Sequence, residues 1–221
     1  MLGLRRLGFI AAFTISVFAA FQASAARYAD IVVDVATGKV LHAEDPDGMR
    51  YPASLTKMMT LYLAFDALKA GRMRLDQPLV VSAFAAGQSP SSTFSPPGTV
   101  LSAEEVIYAV AIKSANDAAV VMAEALAGTE ADFADLMTRK ARQLGMRSTT
   151  FANASGLPNP RQQTTARDMA TLAIALLRDH PNRYHYFSAP SFWFQGKVIN
   201  SHNRLNASYE GADGIKTGFI N

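Results

Sequence analysis

The chain has no cysteine among its 221 residues. That excludes a disulfide framework, thiolate metal sites and a cysteine nucleophile, and it fits an exported location. Charge of one sign is nearly as scarce. There are 21 Lys and Arg against 18 Asp and Glu; setting aside Arg5 and Arg6, which precede a leader-like apolar run, leaves 19 against 18, a net charge of +1. No basic cluster accompanies the aromatics, so nothing marks a nucleic-acid surface or an anionic membrane surface. The histidines His42, His180, His185 and His202 have no metal-ligand spacing, and neither a metal nor another cofactor is expected. His202, near the strand expected around Lys216, is more readily a structural histidine than a cleft residue. Internal repeats and low-complexity tracts are also missing.

What is present is ample apolar material, 49% of the residues, enough to bury the core of one domain or of two closely packed lobes. Residues 1–25 read as a secretory signal peptide: Arg5 and Arg6, an apolar run from Leu7 to Phe21, then Ala23-Ser24-Ala25. The remainder, 26–221, reads as one domain with a helical lobe over about 72–165. Asp30–Val35 and Lys39–Ala43 flank a turn at Gly38 and predict a β-hairpin. A helix follows from Ser54 to a stop at Gly71, apolar nearly all round and therefore buried on most sides. Residues 72–101 read as irregular and without chemistry. Ser102 and Glu105 predict a capping box, Gly128 and Gly145 end two further helices, and Thr129 and Thr165 cap the helices after them. Tyr184–Phe187, Phe192–Phe194 and Val198–Asn200 read as short strands, and Gly214 begins another.

The chemistry concentrates at Tyr51-Pro52-Ala53-Ser54-Leu55-Thr56-Lys57. Residues i and i+3 share a helical face, so the Lys57 amine can reach the Ser54 hydroxyl, and the helix start favours negative charge developing beside it. These are the parts of an activated serine nucleophile whose base is a neutral amine. The ordinary lysine pKa is about 10.4, so burial or a second cation must bring Lys57 down. Alone, Ser-x-x-Lys is a common surface pair. Two further motifs follow in order: Ser114-Ala115-Asn116, 60 residues after Ser54, and Lys216-Thr217-Gly218, 102 residues after that.

This triplet resembles the signature of the serine penicillin-binding proteins and β-lactamases. The closer resemblance is to the low-molecular-mass D-alanyl-D-alanine carboxypeptidases of peptidase family S11. It is carried by the sequences around the three motifs and by Phe151–Leu157, Thr164–Asp168 and Asn200–Leu205. It implies a mixed α/β (α+β) fold with an antiparallel sheet flanked by helices and an all-helical lobe. It also implies removal of the terminal D-alanine from peptidoglycan stem peptides, with β-lactam antibiotics as covalent inhibitors. By resemblance, Ser54 is the nucleophile, Lys57 the base and Ser114 a proton relay, while Asn116, Lys216, Thr217, Gly218 and Phe219 bind substrate. The resemblance also implies an oxyanion hole made by the Ser54 and Phe219 N–H groups. Arg167 and Asp168 read as a structural first-turn pair, and Asn116 and Asp117 are also suited to capping the helix after them.

Three alternatives share the motifs or the fold: a D,D-endopeptidase, a β-lactamase and a non-catalytic peptidoglycan-binding module. A class A β-lactamase is disfavoured because no glutamate occurs between Phe151 and Glu210. Relatives continue past Lys-Thr-Gly with further strands and a terminal helix, often with a β domain and a membrane anchor. The sequence-based expectation is therefore a chain cut short just after that motif, with a sheet lacking its middle and no cooperative unfolding or penicillin labelling as residues 26–221.

Overall fold

The computed structural model describes residues 28–218; the expected leader over residues 1–25 and Phe219 lie outside them. The predicted hairpin forms from β1 (Asp30–Val33) and β2 (Val40–Glu44), antiparallel with Asp30 opposite Glu44. Its turn is held by Asp34, whose carboxylate accepts from the Thr37 amide and hydroxyl, while Gly38 takes a positive φ of 71°. A 3₁₀ turn over Ala53–Thr56 then enters α1 (Lys57–Lys69).

Helix α1 is the centre of the molecule. From Lys57 to Phe65 every residue is buried, as the unbroken apolar run predicts. It is packed by α4 (Asn116–Ala127), α5 (Glu130–Leu144) and α6 (Ala166–Asp179). Its far end is fastened by polar contacts: Tyr62 donates to Asp179, Lys140 pairs with Asp66, and the buried His180 lies 3.2 Å from Asp66.

Between α1 and α4, residues 72–101 are more ordered than their turn-rich sequence suggests. β3 (Pro78–Val80) pairs antiparallel with β4 (Val100–Ser102), and the short α2 (Ala83–Ala86) is capped by Ser82. Leu79 and Leu101 point into the core while Val80 and Val100 face out, the two-residue alternation of a half-buried ribbon. These strands are only three residues long, too short for a periodicity to show in sequence.

Helix α3 (Ala103–Tyr108) begins with the expected Ser102–Glu105 capping box. Its last turn widens into a π turn over Ala109–Lys113 that ends at Ser114 in the left-handed region, φ 61°, ψ 34°. The predicted stops at Gly128 and Gly145 and the caps at Thr129 and Thr165 are all found.

Two expectations fail beyond α6. Tyr184–Phe187 is helical, a 3₁₀ turn at Pro181–Arg183 followed by α7 (His185–Ser188). Tyr186 and Phe187 are both buried, packing on Phe65 at ring distances of 5.9 and 6.1 Å. Successive side chains 100° apart can share a core; on a strand they would point oppositely. The next two runs do form strands, β5 (Ser191–Phe194) and β6 (Lys197–Asn200), before the short α8 (Leu205–Ser208). The second failure is the strand expected from Gly214: residues 212–218 carry none. A strand is defined by the neighbour that satisfies its backbone groups, and among the described residues no strand runs beside this segment. The strands accordingly form three separate antiparallel ribbons in place of one sheet.

Candidate active site

The turn that carries Ser54 is set by its backbone. Ala53 holds a left-handed φ of 46°, a conformation costing a non-glycine residue roughly 1–2 kcal/mol. The loop after α5 backs it closely. A Cβ on Gly156 would lie 1.9 Å from the Ala53 carbonyl oxygen and 3.0 Å from the Ser54 nitrogen, so only glycine allows this approach. Gly156 itself has φ +89°. The loop is pinned from three sides: Thr60 donates to the Ala154 carbonyl, Glu130 accepts from the Ala154 amide, and Asn153 accepts from the Gly156 amide.

Lys57 is fully buried and faces this turn. Its Nζ lies 3.3 Å from Ser54 Oγ, 2.8 Å from Asn116 Oδ1 and 2.6 Å from the Ser155 carbonyl oxygen. None of these neighbours is a carboxylate. Burial first, and then the Lys216 ammonium, hold the amine well below the ordinary lysine range, against a weaker opposing pull from the Asp117 carboxylate. A neutral amine has two N–H donors and one lone pair. Two carbonyl oxygens take the donors, and the lone pair is left for the Ser54 hydroxyl.

The second motif reaches the site through the π turn. A π turn inside a helix often marks a functional position. Here it delivers Ser114 to its left-handed cap, buried, with an Oγ that has no protein partner. Asn116 starts α4 and is held on both sides, its Nδ2 donating to the Ser89 carbonyl and its backbone N–H to the Ser91 carbonyl. Ser89 and Ser91 come from the segment that the sequence reading left without chemistry.

The third motif is less firmly placed. Burial holds the half-buried Lys216 amine down at about 8, and the amine donates to the Thr217 carbonyl. Gly218 lies over the turn that carries Ser54, where an added Cβ would meet Leu55 at 3.5 Å and the Pro52 carbonyl at 4.0 Å. His202 donates its amide to the Ile112 carbonyl, and burial with the Lys113 and Lys216 charges lowers its imidazole pKa.

Beside Ser54 opens a cavity of about 660 Å³ walled by Tyr51, Pro90, Ser91, Asn116, Leu157 and Pro160 among others. None of its lining residues carries a charge. It can take an uncharged or peptide-like group beside Ser54. Among the described residues no cluster of three His, Cys, Asp or Glu could hold a metal, and no helix is long and apolar enough to cross a membrane.

The sequence reading gave Ser155 and Gly156 no role, although Phe151–Leu157 carried part of the resemblance. Their contributions are a backbone carbonyl and a missing side chain, which only the folded contact reveals. The Peptidase S11 family model, described as D-alanyl-D-alanine carboxypeptidase, matches residues 16–221. The chain belongs to this family. It is 34% identical over 198 residues to the D-alanyl-D-alanine carboxypeptidase DacF of Bacillus subtilis, covering 86% of the chain and 50% of that protein. To the D-alanyl-D-alanine carboxypeptidase DacA of Escherichia coli it is 37% identical over 195 residues, covering 85% and 48%. The chain thus spans about half the length of these relatives. Its fold matches the crystal structure of penicillin binding protein 5 from Haemophilus influenzae with a TM-score of 0.83 at 33% identity, over 87% of this chain and 57% of that one. The penicillin-binding fold of the Peptidase S11 family therefore holds the described residues.

Proposed function

We propose that this chain carries the catalytic half-site of a serine-type D-Ala-D-Ala carboxypeptidase acting on peptidoglycan stem peptides through an acyl-enzyme on Ser54. The observation that carries this reading is the Lys57 amine: buried, without a carboxylate partner, its lone pair free for the Ser54 hydroxyl 3.3 Å away. Ser54 Oγ attacks the carbonyl carbon between the two D-alanines as its proton passes to Lys57 Nζ. The tetrahedral oxyanion forms at the Ser54 N–H, where one donor is typically worth about 3–4 kcal/mol. On collapse the C–N bond breaks and the leaving amine takes a proton by way of Ser114, whose hydroxyl has no competing partner. Water then attacks the ester, Lys57 accepts its proton, and Ser54 Oγ leaves reprotonated. Lys216 and Thr217 receive the terminal carboxylate of the departing residue, and the uncharged cavity takes the acyl side of the stem peptide.

β-Lactams enter the same path because the lactam presents an acyl-D-Ala-D-Ala-like amide to Ser54, and the ring keeps the leaving amine attached. The reading also assigns the protein an exported site of action, in the periplasm or at the outer face of the cytoplasmic membrane, in keeping with the leader-like residues 1–25 and the absence of cysteine. A D,D-endopeptidase of the same family, cutting cross-links, is the second reading, since the same constellation serves both amides. The test is benzylpenicillin labelling of the full-length protein followed by peptide mapping. One adduct on Ser54, absent in Ser54→Ala, is expected; an adduct elsewhere, or none, overturns the assignment.

A further inference from the structure

Asn116 can orient the Lys57 amine only if it is itself held, and its holders are the Ser89 and Ser91 carbonyls. We propose that Asp117 is a positioning residue for this site, clamping the Ser89–Ser95 loop so that the loop's carbonyls fix Asn116 with its Oδ1 on Lys57. The proposal rests on the acyl-enzyme reading above. Asp117 is 1% exposed in the first turn of α4. Ser92 Oγ donates to its carboxylate at 2.7 Å, the Thr93 amide at 2.8 and 2.9 Å, and the Thr93 hydroxyl also donates to it. A fourth donor, the Ala118 amide, completes its shell at 2.8 Å. The clamp keeps the loop in a costly shape: Phe94 has φ 61°, although its side chain is exposed and gains nothing from packing.

What the clamped loop presents is specific to Asn116. The Ser91 carbonyl accepts the Asn116 backbone N–H at 2.7 Å, the Ser89 carbonyl accepts Nδ2 at 3.1 Å, and the Ser91 hydroxyl ties the loop to the Lys113 carbonyl. With Nδ2 directed at Ser89, Oδ1 has to face Lys57. The reverse orientation would set two oxygens against each other at Ser89 and two N–H donors against each other at Lys57. Asp117 therefore acts through the loop and Asn116, without touching substrate. It also bears on the amine by charge. The charged groups acting on Lys57 are Lys216, which disfavours the ammonium, and Asp117, which favours it.

The test measures benzylpenicillin acylation of the full-length protein against pH, with thermal melts alongside. Asp117→Asn keeps the volume but weakens the clamp and removes the charge. The acylation rate at the optimum should fall about tenfold or more. The acidic limb should move to lower pH, because the Lys57 ammonium loses the favourable charge of the Asp117 carboxylate. A wild-type rate with an unmoved limb overturns the proposal, as does a lower melting temperature with neither kinetic change. Should Asp117→Asn not fold, Ser92→Ala with Thr93→Val decides the matter, because it retains the carboxylate with its Thr93 and Ala118 amide donors and removes the two hydroxyls that tie the loop to it and to its own backbone. The expected result is a reduced rate with the limb in place, and a wild-type rate overturns the clamp. A wild-type protein that forms no adduct overturns the acyl-enzyme reading and this inference with it, whereas equal labelling of wild type and variants overturns this inference alone.

Discussion

The two sides of the Ser54 site are built differently. On one side stand Ser54, Lys57 and Asn116, carried by helix starts and backed by the Ser155–Gly156 loop, with every polar atom of the Lys57 and Asn116 side chains paired. On the other stands Lys216, half-buried in a segment without strand pairing, its amine turned onto the carbonyl of its own neighbour. The contrast follows from how each secondary structure is satisfied. A helix closes its hydrogen bonds within itself, so a motif on a helix start is positioned once the helix packs. A strand borrows its bonds from a neighbour, so a motif on a strand is only as well placed as the strands beside it. Ser54 and Lys57 belong to the first kind; Lys216, in a run expected to be a strand, has among the described residues no neighbouring strand of the kind the second needs.

This contrast is broken most directly on the helical side. Lys57→Ala should lower benzylpenicillin acylation by about 10²- to 10⁴-fold, the usual worth of a general base, as measured by stopped-flow or adduct mass. A residual rate within tenfold of wild type would mean that another group takes the Ser54 proton. The packed loop comes next. Gly156→Ala drives a methyl into the Ala53 carbonyl, a backbone group that cannot swing aside, and places alanine at φ +89°. We expect a stability loss of roughly 1–3 kcal/mol by denaturant titration and, from a displaced nucleophile, an acylation rate lower by up to about 10²-fold. Unchanged acylation would show that the loop is not what fixes the turn.

The smallest effect is expected on the other side. Lys216→Ala should raise KM for substrates with a free terminal carboxylate by about tenfold, and much less for their amidated analogues. The sign of its pH effect follows from the charges. The Lys216 ammonium repels the Lys57 ammonium, so removing it raises the Lys57 pKa and moves the acidic limb of acylation to higher pH. In the wild type, Lys216 loses its charge as pH rises through about 8, and carboxylate binding should weaken there. An acidic limb that stays in place in Lys216→Ala would show that the two amines do not interact.

Legibility followed the same division. The predicted helices, their caps at Ser102, Thr129 and Thr165, and their glycine stops all appear, because each is decided within a few residues. The Ser54–Lys57 contact is local too, one turn of chain, although the pair alone is a common surface motif and only the two later motifs singled it out. Tyr184–Phe187 misled because aromatic content favours strands on average, while the core around Phe65 needed two adjacent rings on one side. The β3–β4 ribbon was invisible because three residues carry no period.

Residue types and their local spacing were enough to predict the helices and to set Ser54 and Lys57 one turn apart at a helix start. Tertiary structure alone decided that Lys57 is dry and unpaired with acid, that Gly156 must be bare and that Ser89 and Ser91 steer Asn116. Burial, a carbonyl's direction and the room for one methyl group are set by chain segments far apart in sequence, 98 residues in the contact of Lys57 with Ser155, and no local pattern encodes them.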